Sequence, residues 1–267
     1  MSVPERYIKR VLVSFRGRCP MQCKHCYTYD LAEREEKTVL EIVEETGREK
    51  FDIIYLSQKY ENFYDEEQGL SLCRELYFAY HKDIFIITRS HFSDSLVKRL
   101  KELNQEMQKN GNQLYLGVSL CADHSYSITE DPEKCPTPLK RLDNLRRAHK
   151  YGIKTLILLR PIFPDAVIPV KECIGLLEQG KDFVDAVVSS GLVVTDSILM
   201  RLNLKKKDFN YLPSNNSEYL SDLKGAHYID VRSELFQIQR GCIERKIPFF
   251  SHSMPALNYL AAVGGEQ

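Results

Sequence analysis

Three thiols crowd one short stretch near the start of the chain, Arg18-Cys19-Pro20-Met21-Gln22-Cys23-Lys24-His25-Cys26-Tyr27. The spacing is C-x-x-x-C-x-x-C, and no fourth cysteine follows at ligand distance in the sequence. Thiolates so placed hold iron–sulfur clusters, and a cuboidal cluster takes four ligands. Three protein ligands leave one iron open to another molecule. Zinc is the rival, because it accepts three cysteines and one histidine, and His25 lies inside the motif. Structural zinc sites usually draw their ligands as separated pairs. Here all three thiols share one loop and His25 adjoins Cys26, which strains ligation of a single small ion. The first reading describes an enzyme; the second describes a zinc-stabilised, non-catalytic binding module.

The triplet, with a ring residue just before its last cysteine, resembles the signature of the radical S-adenosylmethionine (radical SAM) superfamily. The resemblance implies that Cys19, Cys23 and Cys26 hold a [4Fe-4S] cluster whose open iron is chelated by the amino and carboxylate groups of SAM. Reduction of the cluster would cleave SAM to methionine and a 5′-deoxyadenosyl radical, which abstracts hydrogen from a substrate. His25 matches the ring position near the adenine. The same resemblance implies an oxygen-sensitive enzyme served by a reductant protein such as flavodoxin or ferredoxin.

Composition agrees with a cofactor enzyme. The 267 residues suit one large domain or two small ones, and α/β barrels commonly fill this length as a single unit. Lys plus Arg and Asp plus Glu number 37 each, so no bulk charge favours nucleic acid or an anionic membrane. No run of eighteen apolar residues is present, and Met1-Ser2-Val3-Pro4-Glu5-Arg6 lacks the apolar core of a signal peptide. Eight cysteines without a secretory signal read as reduced thiols of a cytoplasmic protein.

The elements that must position the triplet alternate. Strands are predicted at Ile8–Phe15, Phe51–Leu56, Asp83–Thr88, Gln113–Leu120, Lys154–Leu159 and Ala186–Val194. Between them, helical spacing is read at Val39–Lys50, Leu70–His81, Ser93–Lys109, Thr137–Tyr151 and Val170–Gln179. Such alternation argues for parallel βα units, and here for an α/β fold: a partial (β/α)6 TIM-type barrel with a C-terminal closing segment. Residues 1–194 form the core in this reading, with the cluster loop over 16–30. Residues 195–267 close the barrel within the same domain and contact substrate, through a helix near Arg232–Arg245 and a strand-like Ile247–Phe250. The cluster loop directly follows the first strand, at the carboxyl end where parallel barrels place their sites, as in the radical SAM core.

The other strand ends supply candidate SAM contacts. Many relatives implied by the resemblance carry a glycine-rich turn ending in Glu-Pro after strand two, holding the methionine amino group. This chain has none there, leaving Ser57, Gln58, Glu61 and Asn62 as substitutes. Arg160, at the end of strand five, can clamp a carboxylate with two parallel hydrogen bonds or merely anchor a loop. Ser119 is a candidate for the ribose or methionine end, and Ser189 for an adenine edge; a serine at a strand end is also a turn-former. Cys121 is a candidate hydrogen-atom donor, or a small buried hydrophobe. Cys73 and Cys173 read as core, and Cys135 and Cys242 lack ligand spacing, so no second cluster is expected.

Arg89 reads as a surface residue or a substrate contact, His252 as structural or an acid–base group, and Lys205-Lys206-Lys207 as a solvated face or a phosphate contact. Tyr27, Tyr29, Tyr60 and Tyr64 fall in loops at the cluster end. The strand ends at Thr88-Arg89-Ser90 and Arg160-Pro161-Ile162-Phe163-Pro164, with Phe249-Phe250-Ser251-His252-Ser253-Met254-Pro255, are similar to the spore photoproduct lyase-like, or DNA-repair-photolyase-like, branch. Neutral charge favours a small molecule or peptide as substrate over damaged nucleic acid, which is the alternative within the enzyme class.

Overall fold

The computed structural model describes residues 6–31, 35–47, 50–56, 59–212 and 225–263. The order is β1 Arg10–Val13, α1 Val39–Thr46, β2 Ile53–Leu56, α2 Glu66–Tyr80, β3 Asp83–Thr88, α3 Asp94–Lys109, β4 Leu114–Leu120 and α4 Pro138–His149. Then follow β5 Lys154–Ile162, α5 Val170–Gly180, β6 Ala186–Gly191, β7 Val193–Val194 and α6 Asp196–Arg201. The chain ends with β8 His227–Tyr228, α7 Arg232–Glu244, β9 Phe249–Phe250 and α8 Ser253–Val263. Seven strands form one parallel sheet in the order β1-β2-β3-β4-β5-β6-β9. Among the described residues β1 and β9 make no ladder with each other, so the architecture is the partial barrel that the βα alternation implies.

Successive side chains of a strand point to opposite faces, and both faces here are buried, as in parallel sheets covered on two sides. Ile54, Leu56, Ile84, Ile86, Ile157 and Leu159 face the helix layer and share one core with Leu70, Leu76, Leu96 and Leu100. The alternate residues, among them Tyr55, Phe85, Tyr115, Leu156 and Val188, form a second core on the concave face. That second core is filled by α8 through Ala256, Leu257 and Leu260. Asn258 of α8 accepts from the Tyr7 N–H at 2.7 Å and donates to the Tyr7 carbonyl at 3.0 Å, tying the C-terminal helix to the chain just before β1.

Boundaries moved where side-chain chemistry is local. Helix α2 begins at Glu66 rather than Leu70, because Asp65 caps it by accepting from the Gln68 N–H at 3.0 Å, and Glu66 and Glu67 suit the positive end of the helix dipole. The predicted sixth strand divides: Val193–Val194 leaves the sheet and pairs antiparallel with β8. Strand β5 runs on to Ile162 with a register shift after Leu159. Helices α6 and α8 were not anticipated. The first has six residues and shows too little period, while the second is apolar beyond a single stripe because it packs inside the barrel. Pro255 in the first turn of α8, a position proline tolerates, was the available signal. Among the described residues no helix is long and apolar enough to cross a membrane.

Gly117 sits where the concave core is tightest. A Cβ there would lie 2.9 Å from the Phe85 ring and 3.1 Å from Leu158, with no open space to move into. Gly117→Ala is therefore expected to lower unfolding free energy by about 1–3 kcal/mol through overpacking, measured by urea denaturation; an unchanged midpoint would show that the ring can relax.

Candidate metal centre and active site

The cluster loop leaves β1 at the carboxyl edge of the sheet and is held from three sides. At its root, Asn62 accepts from the Phe15 N–H at 2.9 Å and donates to the Val13 carbonyl at 3.5 Å, joining the segment after β2 to the end of β1. On one flank stands α6, whose Arg201 donates to the Cys26 carbonyl at 2.8 Å, the Lys24 carbonyl at 2.9 Å and the Asp30 carboxylate at 2.7 Å. The hydroxyls of Thr195 and Ser197 donate to the same carboxylate, at 3.0 and 2.7 Å. These hydrogen bonds hold the Asp30 carboxyl below its usual range against the opposing effect of burial. On the other flank lies the β4–α4 loop. There the Thr129 carbonyl accepts from the Lys24 N–H at 2.8 Å, and the Ser127 carbonyl accepts from Lys24 Nζ at 2.9 Å.

Behind this loop is a buried ionic network. Glu130 and Arg141 are both fully buried and paired through two hydrogen bonds, and the Ser119 carbonyl accepts from Arg141 at 2.7 Å. Arg89 at the end of β3 reaches Glu130 at 3.3 Å and His25 Nε2 at 3.3 Å. His25 Nδ1 lies 3.2 Å from the Thr129 carbonyl. Since a carbonyl only accepts and a guanidinium only donates, the imidazole is neutral with its proton on Nδ1. Burial, with Arg89 beside it, lowers the His25 pKa to about 3. Glu61 is saturated: its carboxylate accepts from the N–H groups of Phe63 and Arg89 and from the Thr88 hydroxyl. Burial nonetheless raises its pKa.

The three thiols lie buried or half-buried between these flanks. Burial pushes Cys19 up to about 11, although the N–H groups of Met21 and Glu61 point at its sulfur. Cys26 is raised by burial and shares a 2.9 Å hydrogen bond with Thr28. Cys23 is raised first by the thiol of Cys135 beside it and then by burial. Thiolates are thus disfavoured here unless a cation or cluster compensates them. Two features fit an anionic cluster. The Tyr29 hydroxyl is buried with no hydrogen-bond partner among the described residues, and burial, with the three cysteines nearby, raises its pKa. The guanidiniums of Arg89, Arg141 and Arg160 also outnumber the carboxylates of Glu61 and Glu130. A Cys3His zinc site fits less well, because both His25 nitrogens are engaged. Among the described residues no three His, Cys, Asp or Glu side chains, the cysteine triplet included, lie grouped as a metal ion would need.

The remaining candidates separate. Ser119 and Arg160 share the concave face with Arg89, by strand parity with Tyr115 and Leu158. Among the described residues the Arg160 side chain makes no hydrogen bond or ion pair, and burial, aided by nearby Arg89, lowers its pKa to about 10. Ser189 faces the other way. Its hydroxyl donates to the Leu159 carbonyl at 2.9 Å, where the β5 register shift disturbs the ladder. Asn62 and Glu61 brace the loop, while Ser57 and Gln58 lie outside the described residues. Cys121 is fully buried, its thiol donating to the Arg160 carbonyl at 3.4 Å and raised to about 12 by burial; this favours packing. His252 is exposed against Ser251, and Lys205–Lys207 lie exposed. A cleft of about 590 Å³ runs along the free edge of β1, bounded by Leu12, Ser14, Arg18, Thr28 and Tyr29.

Sequence reasoning missed Arg201, Thr195, Asp30, Glu130 and Arg141. An acidic residue four positions after the last cysteine was the one local sign, and nothing local paired it with residue 201.

The open parallel sheet, with a thiol-bearing loop after its first strand, has the fold of solved spore photoproduct lyase and methylornithine synthase structures. A mutant of spore photoproduct lyase superposes with a TM-score of 0.63 at 11% identity, over 90% of this chain and 76% of that one. A second spore photoproduct lyase mutant, with bound AdoMet and dinucleoside spore photoproduct, gives 0.61 at 12% identity over 90% and 76%. Methylornithine synthase gives 0.56 at 14% identity, over 92% of this chain and 65% of that one. No protein-family model matches the sequence, and no curated protein matches it either.

Arg201 is the side chain that fixes the cluster loop from a remote element. Arg201→Met is expected to leave the fold intact by circular dichroism while a reconstituted cluster loses iron to a chelator about tenfold faster, the loss of hydrogen bonds to a charged group being worth ~1.5–3 kcal/mol. Equal release rates would mean that the clamp is dispensable.

Proposed function

We propose that this protein is a radical SAM enzyme acting on a small molecule or peptide. The observation that carries the reading is the placement of Cys19, Cys23 and Cys26 on one braced loop at the carboxyl end of the partial barrel. The same strand end also carries Arg160, whose side chain has no ion pair among the described residues. When bound, a [4Fe-4S] cluster and SAM would supply reductive cleavage of the sulfonium and a carbon radical that removes hydrogen from substrate; the chain supplies binding, orientation and exclusion of water.

Cys19, Cys23 and Cys26 hold the cluster. Arg160 clamps the SAM carboxylate, its cationic form being costly in the buried site until an anion arrives. Ser119, with a concave-face hydroxyl beside Arg89, serves the methionine or ribose end. His25, engaged at both nitrogens, offers its ring and backbone to the adenine, and Ser189 only its backbone. The methionine amino group falls to the segment after β2, where Ser57 and Gln58 stand in sequence. The cleft beside β1 has room for a small molecule or a few peptide residues. A flavodoxin- or ferredoxin-like protein would supply electrons.

The test uses protein purified and reconstituted without oxygen. About four irons and four sulfides per chain are expected, with 5′-deoxyadenosine released on adding dithionite and SAM. Alanine at Cys19, Cys23 or Cys26 should abolish both, whereas Cys121→Ala should keep both. One zinc and no iron would overturn the reading in favour of a metal-stapled binding module. Arg160→Met is expected to weaken SAM binding about tenfold to a hundredfold, the value of ~1.5–3 kcal/mol for hydrogen bonds to a charged group, at unchanged iron content. Unaltered SAM affinity would remove Arg160 from the site. Salt-dependent retention of damaged DNA would move the substrate to nucleic acid.

A further inference from the structure

Strand β1 ends at the cluster loop, and among the described residues it pairs with β2 alone. The cleft of about 590 Å³ lies along its other side, where residues 11–18 line it without a break. Side chains of a strand alternate between its two faces, so an unbroken run marks a groove that follows the edge and meets main chain. The opposite wall is made by the end of α1, through Ile42, Glu45 and Thr46, and by the turn just after Cys26, through Thr28 and Tyr29. The Thr28 hydroxyl shares its 2.9 Å hydrogen bond with Cys26 Sγ, so one end of the cleft abuts the cluster loop.

The backbone of Lys9, Val13 and Phe15 is turned towards β2 and the segment after it. The Lys9 carbonyl accepts from the Asp52 N–H at 2.8 Å, and Asn62 meets the Val13 carbonyl and the Phe15 N–H. Backbone groups alternate in side along a strand, so those of Leu12 and Ser14 turn to the cleft. Such an edge is a template for another chain. The cleft is also charged. Three of its described lining side chains are cationic, Arg16, Arg18 and Lys59, against the one carboxylate of Glu45. Glu45 is already held by Arg16 at 2.8 Å and by Lys37, which leaves an excess of positive charge to draw in an anionic ligand. Leu12, apolar yet 42% exposed, adds a seat for an apolar side chain. A small anion would leave both the edge and Leu12 unused, whereas an extended acidic peptide engages all three features.

Building on the radical SAM reading, we propose that the substrate is a peptide whose extended, acidic segment adds to β1 as a further strand of the seven-stranded sheet, with one end beside Thr28 and Tyr29. Main-chain hydrogen bonds supply the affinity of such strand addition, and alternate side chains supply the specificity. Here Arg18 and Lys59 select acidic positions, and Leu12 an apolar one between them. Docking on the edge leaves Ser119 and Arg160, on the concave face, to SAM.

The experiment titrates fluorescein-labelled peptides of about five residues into holoprotein reconstituted without oxygen, in the presence of SAM, with anisotropy as the readout. The probe alternates glutamate with valine. One control replaces each glutamate by lysine, and the other N-methylates the amides so that they cannot pair with an edge. The glutamate peptide is expected to bind about tenfold or more tightly than either control, to weaken as salt rises, and to slow amide exchange over residues 10–15. Leu12→Glu sets a like charge in the cleft and should weaken the glutamate peptide about tenfold while the lysine peptide gains. Equal affinity for all three peptides, or unchanged exchange at β1, would overturn the inference. Failure of every peptide to bind a protein that releases 5′-deoxyadenosine would also overturn it, leaving the radical SAM reading intact. A wild-type protein that takes up no iron would overturn that reading, and the substrate role with it, whatever the peptides do.

Discussion

The carboxylate of Glu130 is the point on which the site depends. It is fully buried, and burial alone would force it neutral. Arg141 and Arg89 keep it charged, and through them the β4–α4 loop is fastened to α4, to the end of β3 and to His25. Breaking such a buried pair by removing one partner costs about 3–5 kcal/mol, because the survivor is left uncompensated. The network therefore makes one rigid backing of three separate loops. The carbonyls of Ser127 and Thr129 on that backing then hold Lys24 and His25 in the middle of the cysteine triplet.

The opposite flank is organised by a second ionic contact, Arg201 with Asp30, and here the charges serve a different purpose. The guanidinium has more donors than Asp30 can use, and it spends the remainder on the backbone carbonyls of Lys24 and Cys26. It also lies over the Tyr29 ring, with Arg18 likewise 5.3 Å from that ring. A loop of fifteen residues, 16–30, cannot hold three sulfurs steady by its own hydrogen bonds, since few of them are regular. Its geometry is imposed from outside, by elements formed much later in the chain.

The barrel beneath supplies orientation and dryness. The sheet is open, yet its concave face is not hollow: α8 packs into it and joins the aromatic core of Tyr55, Phe85 and Tyr115. At the carboxyl ends of the strands on that face stands Arg160, whose side chain has no ion pair among the described residues, and Ser119 shares its face. Cationic groups near buried thiols, with a phenol that has no hydrogen-bond partner among the described residues, make a site suited to negative charge. A nearby thiol, Cys135, completes the sulfur surroundings.

The chemistry was legible in the sequence because it is local. Three cysteines within eight positions are what raise a metal site as a candidate, and alternating apolar periods of two and about 3.6 declare strands, helices and their order. The parallel sheet follows from that alternation, and with it the place of the loop after β1. The partners of the loop were not legible. Arg201 meets Asp30 across 171 positions and Cys135 meets Met21 across 114, and neither spacing nor propensity carries information over such distances. Ser189, with the residue type of a ligand contact, falls on the helix-facing side by alternation along β6, with Val187, and spends its hydroxyl on the Leu159 carbonyl. Residue types and periods determined what chemistry this protein is equipped for. Only the tertiary structure decided which charges stay buried and paired, which arginine has no ion pair among the described residues, and which thiol packs with Met21 and Cys23, because those depend on packing between elements distant in the chain.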